Sequence, residues 1–181
     1  MPLAPKVAPV AKDRVNLAEW GCPGMTREPV IAYVALGANL GDAAGALREA
    51  AQVLARTAGI SGLRCSRLYR SAPVDASGPD FINAVAELRT VLTAPDLLDA
   101  LQAIETHAGR LRPYRHAPRT LDLDLLLYGS GRVASPRLTV PHPRMWRRAF
   151  VLVPLAEIAP QLVSAGQLAA VAEQAIEPLE V

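Results

Sequence analysis

Asp122 and Asp124 stand one residue apart in the string Leu121-Asp122-Leu123-Asp124-Leu125-Leu126-Leu127-Tyr128. On an extended strand, residues two apart project to the same side, about 6.6 Å from each other along the chain. Carboxylates so placed repel one another, and the leucines around them limit their access to bulk water. A hard divalent cation relieves that repulsion, and magnesium typically combines one or two carboxylates with substrate phosphates. Two such ions about 3.5–4 Å apart can clamp an in-line phosphoryl transfer. Taken alone, the Asp-x-Asp pattern reads as readily as two solvated aspartates on a strand face, since charged side chains are seldom buried.

The neighbouring residues favour the first reading. Arg110, Arg112, Arg115 and Arg119 directly precede the strand, on a stretch that begins at Gly109. Guanidinium forks match phosphate oxygens, so cations and carboxylates converging on one sheet face make a metal–polyphosphate site. Isolated from the aspartates, the same arginines would be a solvated basic loop. A second cluster holds Arg144, Arg147 and Arg148. The segment Gly37-Ala38-Asn39-Leu40-Gly41-Asp42 lacks the ending of a P-loop and the spacing of a dinucleotide fingerprint; it reads as a tight strand-to-helix turn. His142 is stiffly held between Pro141 and Pro143. Glu105 reads as a solvated helix residue, and His107 and His116 show no metal spacing.

The elements that must position these groups follow from hydrophobic period. Val30 to Leu36 is an uninterrupted apolar run, as expected of a buried central strand. A helix is expected over about 43–57, with Leu47, Ala50, Ala51 and Leu54 on its apolar face. Leu63 to Arg70 reads as a second strand. Phe81 to Val91 alternates, with Ile82, Ala84, Ala86 and Leu88 toward the core and Phe81, Asn83, Val85, Glu87 and Arg89 on the other side. Thr93 caps a second helix whose stripe is Leu97, Leu101, Ile104 and Ala108, with Leu98, Gln102 and Glu105 beside it, and Gly109 ends it. Strict alternation over 120–128 places Leu121, Leu123, Leu125 and Leu127 on one face and Asp122, Asp124, Leu126 and Tyr128 on the other. A helix over Phe150 to Ile158 and a weaker one near Gln167 to Gln174 complete the chain. The order strand-helix-strand-strand-helix-strand predicts an α+β fold: a ferredoxin-like βαββαβ core with an antiparallel sheet and additional C-terminal helices, which can cover part of the other sheet face.

Composition sets the outer bounds. At 181 residues and 51% hydrophobic content, one domain with a substantial core is expected. Residues 1–29, rich in Ala and Pro without a clear period, read as a flexible N-terminal extension ahead of a single domain over 30–181. A net charge of +2 does not argue for nucleic acid. Cys22 and Cys65 make no CxxC or zinc spacing, which suits reduced thiols in a cytoplasmic protein. No apolar run reaches the length of a membrane span.

Taken together, these residues resemble the 6-hydroxymethyl-7,8-dihydropterin pyrophosphokinase family of folate synthesis. The likeness runs over about Val30 to Pro160. It is carried by Tyr33-Val34-Ala35-Leu36-Gly37-Ala38-Asn39-Leu40-Gly41-Asp42, Tyr69-Arg70-Ser71-Ala72-Pro73, Asp80-Phe81-Ile82-Asn83-Ala84, Ile104-Glu105, Gly109-Arg110-Leu111-Arg112, Pro118-Arg119-Thr120-Leu121-Asp122-Leu123-Asp124 and Leu138-Thr139-Val140-Pro141-His142. The chain has His116-Ala117 where the family often has Trp-Gly, and Pro143 where it has an aromatic residue.

The resemblance implies that the hydroxymethyl oxygen of 6-hydroxymethyl-7,8-dihydropterin attacks the β-phosphorus of ATP and AMP leaves. Asp122 and Asp124 would bind two magnesium ions, with Asp124 near the hydroxyl proton. Arg110, Arg119 and Arg148 would meet phosphates or the closing loop. Leu98, Gln102, Glu105, Leu125, Arg137, Thr139 and His142 would bind ATP. Phe81 and Phe150 would sandwich the pterin, Asn83 would bond its polar edge, and Ser71 and Val74 would offer backbone partners. The implied partners are the two small-molecule substrates, with no nucleic acid, no membrane and a monomeric chain.

Two other classes stay in view. A nucleotide-binding regulator on this fold would have lost Asp122, Asp124 or His142, and all three are present. An RNA-binding module needs exposed aromatics on central strands, against an aromatic content of 4%.

Overall fold

Nine residues without a charge belong in the middle of a sheet, and β1 (Val30–Ala38) lies there, paired on one side with β4 (Phe81–Thr90) and on the other with β5 (Asp122–Tyr128), both antiparallel. The computed structural model describes residues 27–73, 78–109 and 120–180. The expected extension falls, up to residue 26, outside the described residues. Between these strands run α1 (Ala43–Arg56), β2 (Ile60–Cys65), β3 (Tyr69–Ser71) and α2 (Ala94–His107). After β5 come a small hairpin, β6 (Val133–Ala134) and β7 (Thr139–Val140), then α3 (Ala149–Ile158), α4 (Ala165–Ala169) and β8 (Ile176–Pro178). The main sheet is ordered β5-β1-β4-β3-β8, and β2 also pairs with β4. The fold is α+β with an antiparallel sheet and helices on both faces.

Local chemistry sets the helix ends. The Asp42 carboxylate accepts the Gly45 N–H at 2.8 Å and starts α1, directly after Gly41 turns the chain at φ 59°. Thr93 accepts the Asp96 N–H at 3.2 Å and starts α2. One core joins α1 and α2 to the sheet through Leu36, Leu47, Leu54, Leu88, Leu97 and Leu101. A second core lies on the opposite face, where Val85 and Leu126 pack with Leu152 and Leu155 of α3. Arg64 anchors the end of that helix, donating to Ile158 C=O at 2.6 Å and to Glu87 at 2.9 Å. Among the described residues no helix is long and apolar enough to cross a membrane.

The expected strand over Leu63 to Arg70 is two strands. The Ser66 hydroxyl takes the Val85 N–H at 3.1 Å and itself donates to Arg67 C=O at 2.7 Å. A side chain thus replaces a ladder bond, and the strand breaks there. Strict alternation also fails in β5. Tyr33 faces Leu127 while Val34 faces Leu125, so Leu126 is an extra residue, a β-bulge. Beyond it Leu127 turns to the α3 side, and Tyr128 to the side of α1 and α2. The weak C-terminal helix is shorter and earlier than expected, with Ser164 and Gln167 forming a capping box.

Candidate active site

The register aligns the chemistry. Asp122 faces Gly37, Gly37 faces Asn83, and Asn83 faces Tyr69, giving one row across four strands. One step along, Asp124 faces Ala35. Directly opposed residues of an antiparallel pair share a face, so both aspartates and Asn83 look toward the α3 side of the sheet. The aspartates are half-buried, and the bulge that reverses the parity lies beyond them, which leaves their common orientation intact. Gly37 keeps the floor of the row low: a Cβ there would stand 3.4 Å from Asn83 Oδ1.

β5 is the outer strand of the sheet, and its free edge is closed at two points. Glu105 Oε1 accepts the Leu123 N–H at 2.8 Å, and the His142 N–H donates to Leu126 C=O at 2.9 Å. Glu105 is 1% exposed. It lies in line with Leu97 and Leu101 at i, i+4 and i+8, in place of the solvated position expected beside Leu98 and Gln102. A carboxyl group on the core stripe of a helix was the legible signal, since such a group demands a buried partner.

His142 reports the electrostatics. Burial is the main cause that pushes its pKa below the usual imidazole range. The Asp124 carboxylate pulls it up, Arg148 and Arg144 push it down, and Asp122 pulls it up more weakly. These four charges therefore lie within reach of one imidazole. Arg144, whose N–H also approaches His142 Nδ1 at 3.4 Å, carried no role in the sequence reading beyond membership of a basic cluster.

The donor set fits magnesium in kind. Asp122 and Asp124 supply hard oxygens, and among the described residues no group of three or more His, Cys, Asp or Glu side chains could hold a metal by itself. Magnesium habitually completes such a set with water and substrate phosphates.

The remaining expected residues fall into sets. Asn83, 4% exposed, donates to Ser71 Oγ at 3.0 Å, and Phe81 lies across from Ser71. Phe81 is half-buried yet belongs to neither core, whereas Phe150 packs against the α3 core with the Arg148 guanidinium 5.3 Å from its ring centroid. Asn39 Nδ2 donates to Pro79 C=O at 3.3 Å, tying the turn after β1 to the approach to β4. On the other side, Arg137, in the β6–β7 hairpin, pairs with Asp99 of α2. Gln102 and Thr139 are exposed, Leu98 is half-buried, and the Leu125 side chain lies within the core under α1 and α2. Val74, Arg110 and Arg119 lie outside the described residues, as do Arg112, Arg115 and His116.

Comparison with known proteins gives a consistent picture. A family model described as 7,8-dihydro-6-hydroxymethylpterin-pyrophosphokinase (HPPK) matches residues 33–160. The chain is 50% identical over 132 residues to a 2-amino-4-hydroxy-6-hydroxymethyldihydropteridine pyrophosphokinase of Synechocystis, covering 73% of this chain and 68% of the relative. It is 50% identical over 131 residues to the protein of the same name from Pseudomonas aeruginosa, covering 72% of this chain and 81% of that one. Among solved structures, wild-type Plasmodium falciparum HPPK-DHPS with pterin and p-hydroxybenzoate superposes with a TM-score of 0.58 at 14% identity, over 76% of this chain and 41% of that one. At that identity the superposition speaks for the fold alone, and this chain spans less than half of that protein.

Proposed function

The chain belongs to the 7,8-dihydro-6-hydroxymethylpterin-pyrophosphokinase family, and from that premise we infer that it transfers pyrophosphate from ATP to the hydroxymethyl group of 6-hydroxymethyl-7,8-dihydropterin, releasing AMP in folate synthesis. The observation that supports assigning it to this site is the row Asp122–Gly37–Asn83, with Asp124 one pair along, which sets two carboxylates and a carboxamide on one sheet face.

We propose the following roles, as the family resemblance implies them. Asp122 and Asp124 would hold two magnesium ions, which would neutralise charge on the triphosphate. Asn83, oriented by Ser71, meets the polar edge of the pterin, and Phe81 and Phe150 flank its ring. Leu98, Gln102, Arg137 and Thr139 border the nucleotide on the α2 side. Glu105 and Leu125 act there from within the packed interior, and the backbone of His142 fastens the hairpin exit to β5. Arg148, close enough to bias the His142 imidazole, meets the charge that develops on the transferred group, together with Arg110 and Arg119. In such a transfer the protein contributes positioning and electrostatics more than covalent chemistry. Val74 offers a backbone partner to the pterin.

The strand order supports reading the core as a ferredoxin-like βαββαβ unit with β3, β8 and the C-terminal helices added. The reading extends to a cytoplasmic monomer, with residues 1–29 as an extension ahead of the domain. The deciding assay mixes protein, magnesium, ATP and 6-hydroxymethyl-7,8-dihydropterin and identifies the nucleotide product. AMP is expected; ADP, or no nucleotide product, would overturn the assignment.

A further inference from the structure

Arg148 occupies the N-cap of α3, at φ −125° and ψ 112°, with no side-chain capping bond. N-caps favour Ser, Thr, Asp and Asn because a side-chain oxygen can accept a first-turn N–H. A guanidinium has no acceptor, and its charge opposes the helix dipole. Helix stability therefore argues against arginine here.

The missing cap arrives from another part of the chain. Gln174 Oε1 accepts the Ala149 N–H at 2.9 Å, and Gln174 Nε2 donates to Arg147 C=O at 2.9 Å. One carboxamide thus clasps the peptide groups on both sides of Arg148. Its orientation is determined, because one partner can only donate and the other can only accept. Arg148's own C=O takes the Val151 and Leu152 N–H groups at 3.1 and 3.0 Å. Two residues beyond the clasp, Ile176 pairs with Ser71, which accepts from Asn83. The same short segment therefore touches both the backbone beside Arg148 and the Ser71–Asn83 pair.

We propose that Gln174 is a positioning residue for the transfer: it fixes the backbone of Arg148 and so aims the guanidinium held over Phe150. The proposal rests on the reading of Arg148 as a residue that meets the transferred group.

The test is a double-mutant cycle read as AMP release. Gln174→Met keeps the bulk and removes both bonds. It lowers kcat about 3- to 10-fold, the rate equivalent of a lost hydrogen bond or two, with smaller changes in KM for ATP and the pterin. Arg148→Ala lowers kcat further, and adding Gln174→Met to it costs nothing more, because the side chain being aimed is gone. Equal losses in both backgrounds would mark a merely structural role and overturn the proposal, as would no loss in the wild-type background. Wild-type turnover by Arg148→Ala alone would instead remove the role of Arg148, and the proposal with it. Thermal melts accompany every variant. If the Met variant does not fold, Gln174→Glu carries the same cycle: it keeps the shape and the Ala149 bond but sets an oxygen against Arg147 C=O.

Discussion

Glu105 on α2 accepts the backbone N–H of Leu123 at 2.8 Å, and Leu123 is the residue between the two aspartates. The carboxyl group therefore supports the carboxylate pair from behind, at the free edge of β5. Replacing it with alanine strands a buried amide, which costs about 1–3 kcal/mol. We expect Glu105→Ala to lose that much in urea denaturation and to need more magnesium for half-maximal AMP release. Glu105→Gln keeps an acceptor and should retain most of both. Equal behaviour of the two variants would exclude the backing role.

Asp122 and Asp124 project to one face of β5, two residues apart, so the isosteric Asp122→Asn and Asp124→Asn changes should leave the fold intact. Turnover should nevertheless fall at least about 100-fold, the scale of losing one preorganised charged group. Calorimetry should show the stabilisation by magnesium and a nonhydrolysable ATP analogue shrink in both variants. A variant that melts early, or that retains activity, would contradict the assignment. Chelation of magnesium should abolish turnover of the wild type and leave its circular dichroism unaltered.

Gly37 lies between Asp122 and Asn83 in the cross-strand row, and a Cβ would reach ordinary contact distance, 3.4 Å, from Asn83 Oδ1. Alanine should fit; valine should crowd the Asn83 side chain. Valine is at home in a strand, so Gly37→Val is expected to fold and to lose pterin affinity while Gly37→Ala keeps more of it. Equilibrium titration of the pterin against both variants decides this.

His142 has its pKa lowered, mainly by burial. An imidazole whose folded-state pKa lies below its unfolded value contributes full stability above about pH 6.5. That contribution is lost as pH falls through the lower, folded-state pKa, because the unfolded chain takes up the proton more readily. Nitrogen-15 NMR should show the ring neutral at pH 7 with a midpoint below 6.5, and His142→Gln should flatten the acid limb of the stability profile. A midpoint above 6.5 would mean that the aspartates outweigh burial.

Much of this was legible from periodicity. The run Val30 to Leu36 announced a central strand, the alternation over 81–90 announced its neighbour, and Thr93 announced the start of α2. The common face of Asp122 and Asp124 followed from strand parity alone. Parity failed one turn of the pleat later, because a bulge obeys the register of the partner strand and leaves no mark in a run of leucines. The break at Ser66 was hidden for a related reason: its hydroxyl bonds Val85, nineteen positions away in sequence. Gln174 was invisible for the same cause, since a glutamine that caps a distant helix looks like any polar residue until the chain is folded.

Phe81 and Phe150 differ in what else they do, and the difference makes the pterin assignment testable. Phe81 is half-buried but packs into neither core, so its truncation removes little that holds the fold together. Phe150 packs against the α3 core and lies under the Arg148 guanidinium at 5.3 Å, an arrangement worth about 0.5–1 kcal/mol where exposed. We expect Phe81→Ala to weaken pterin binding with the melting temperature nearly unchanged, and Phe150→Ala to lower both. In each variant the ATP analogue should bind close to wild type. Calorimetric titration of the two substrates separates the cases: a larger loss for the nucleotide than for the pterin in Phe81→Ala would place this aromatic outside the pterin site, since a ring that stacks on the pterin cannot be dispensable for it.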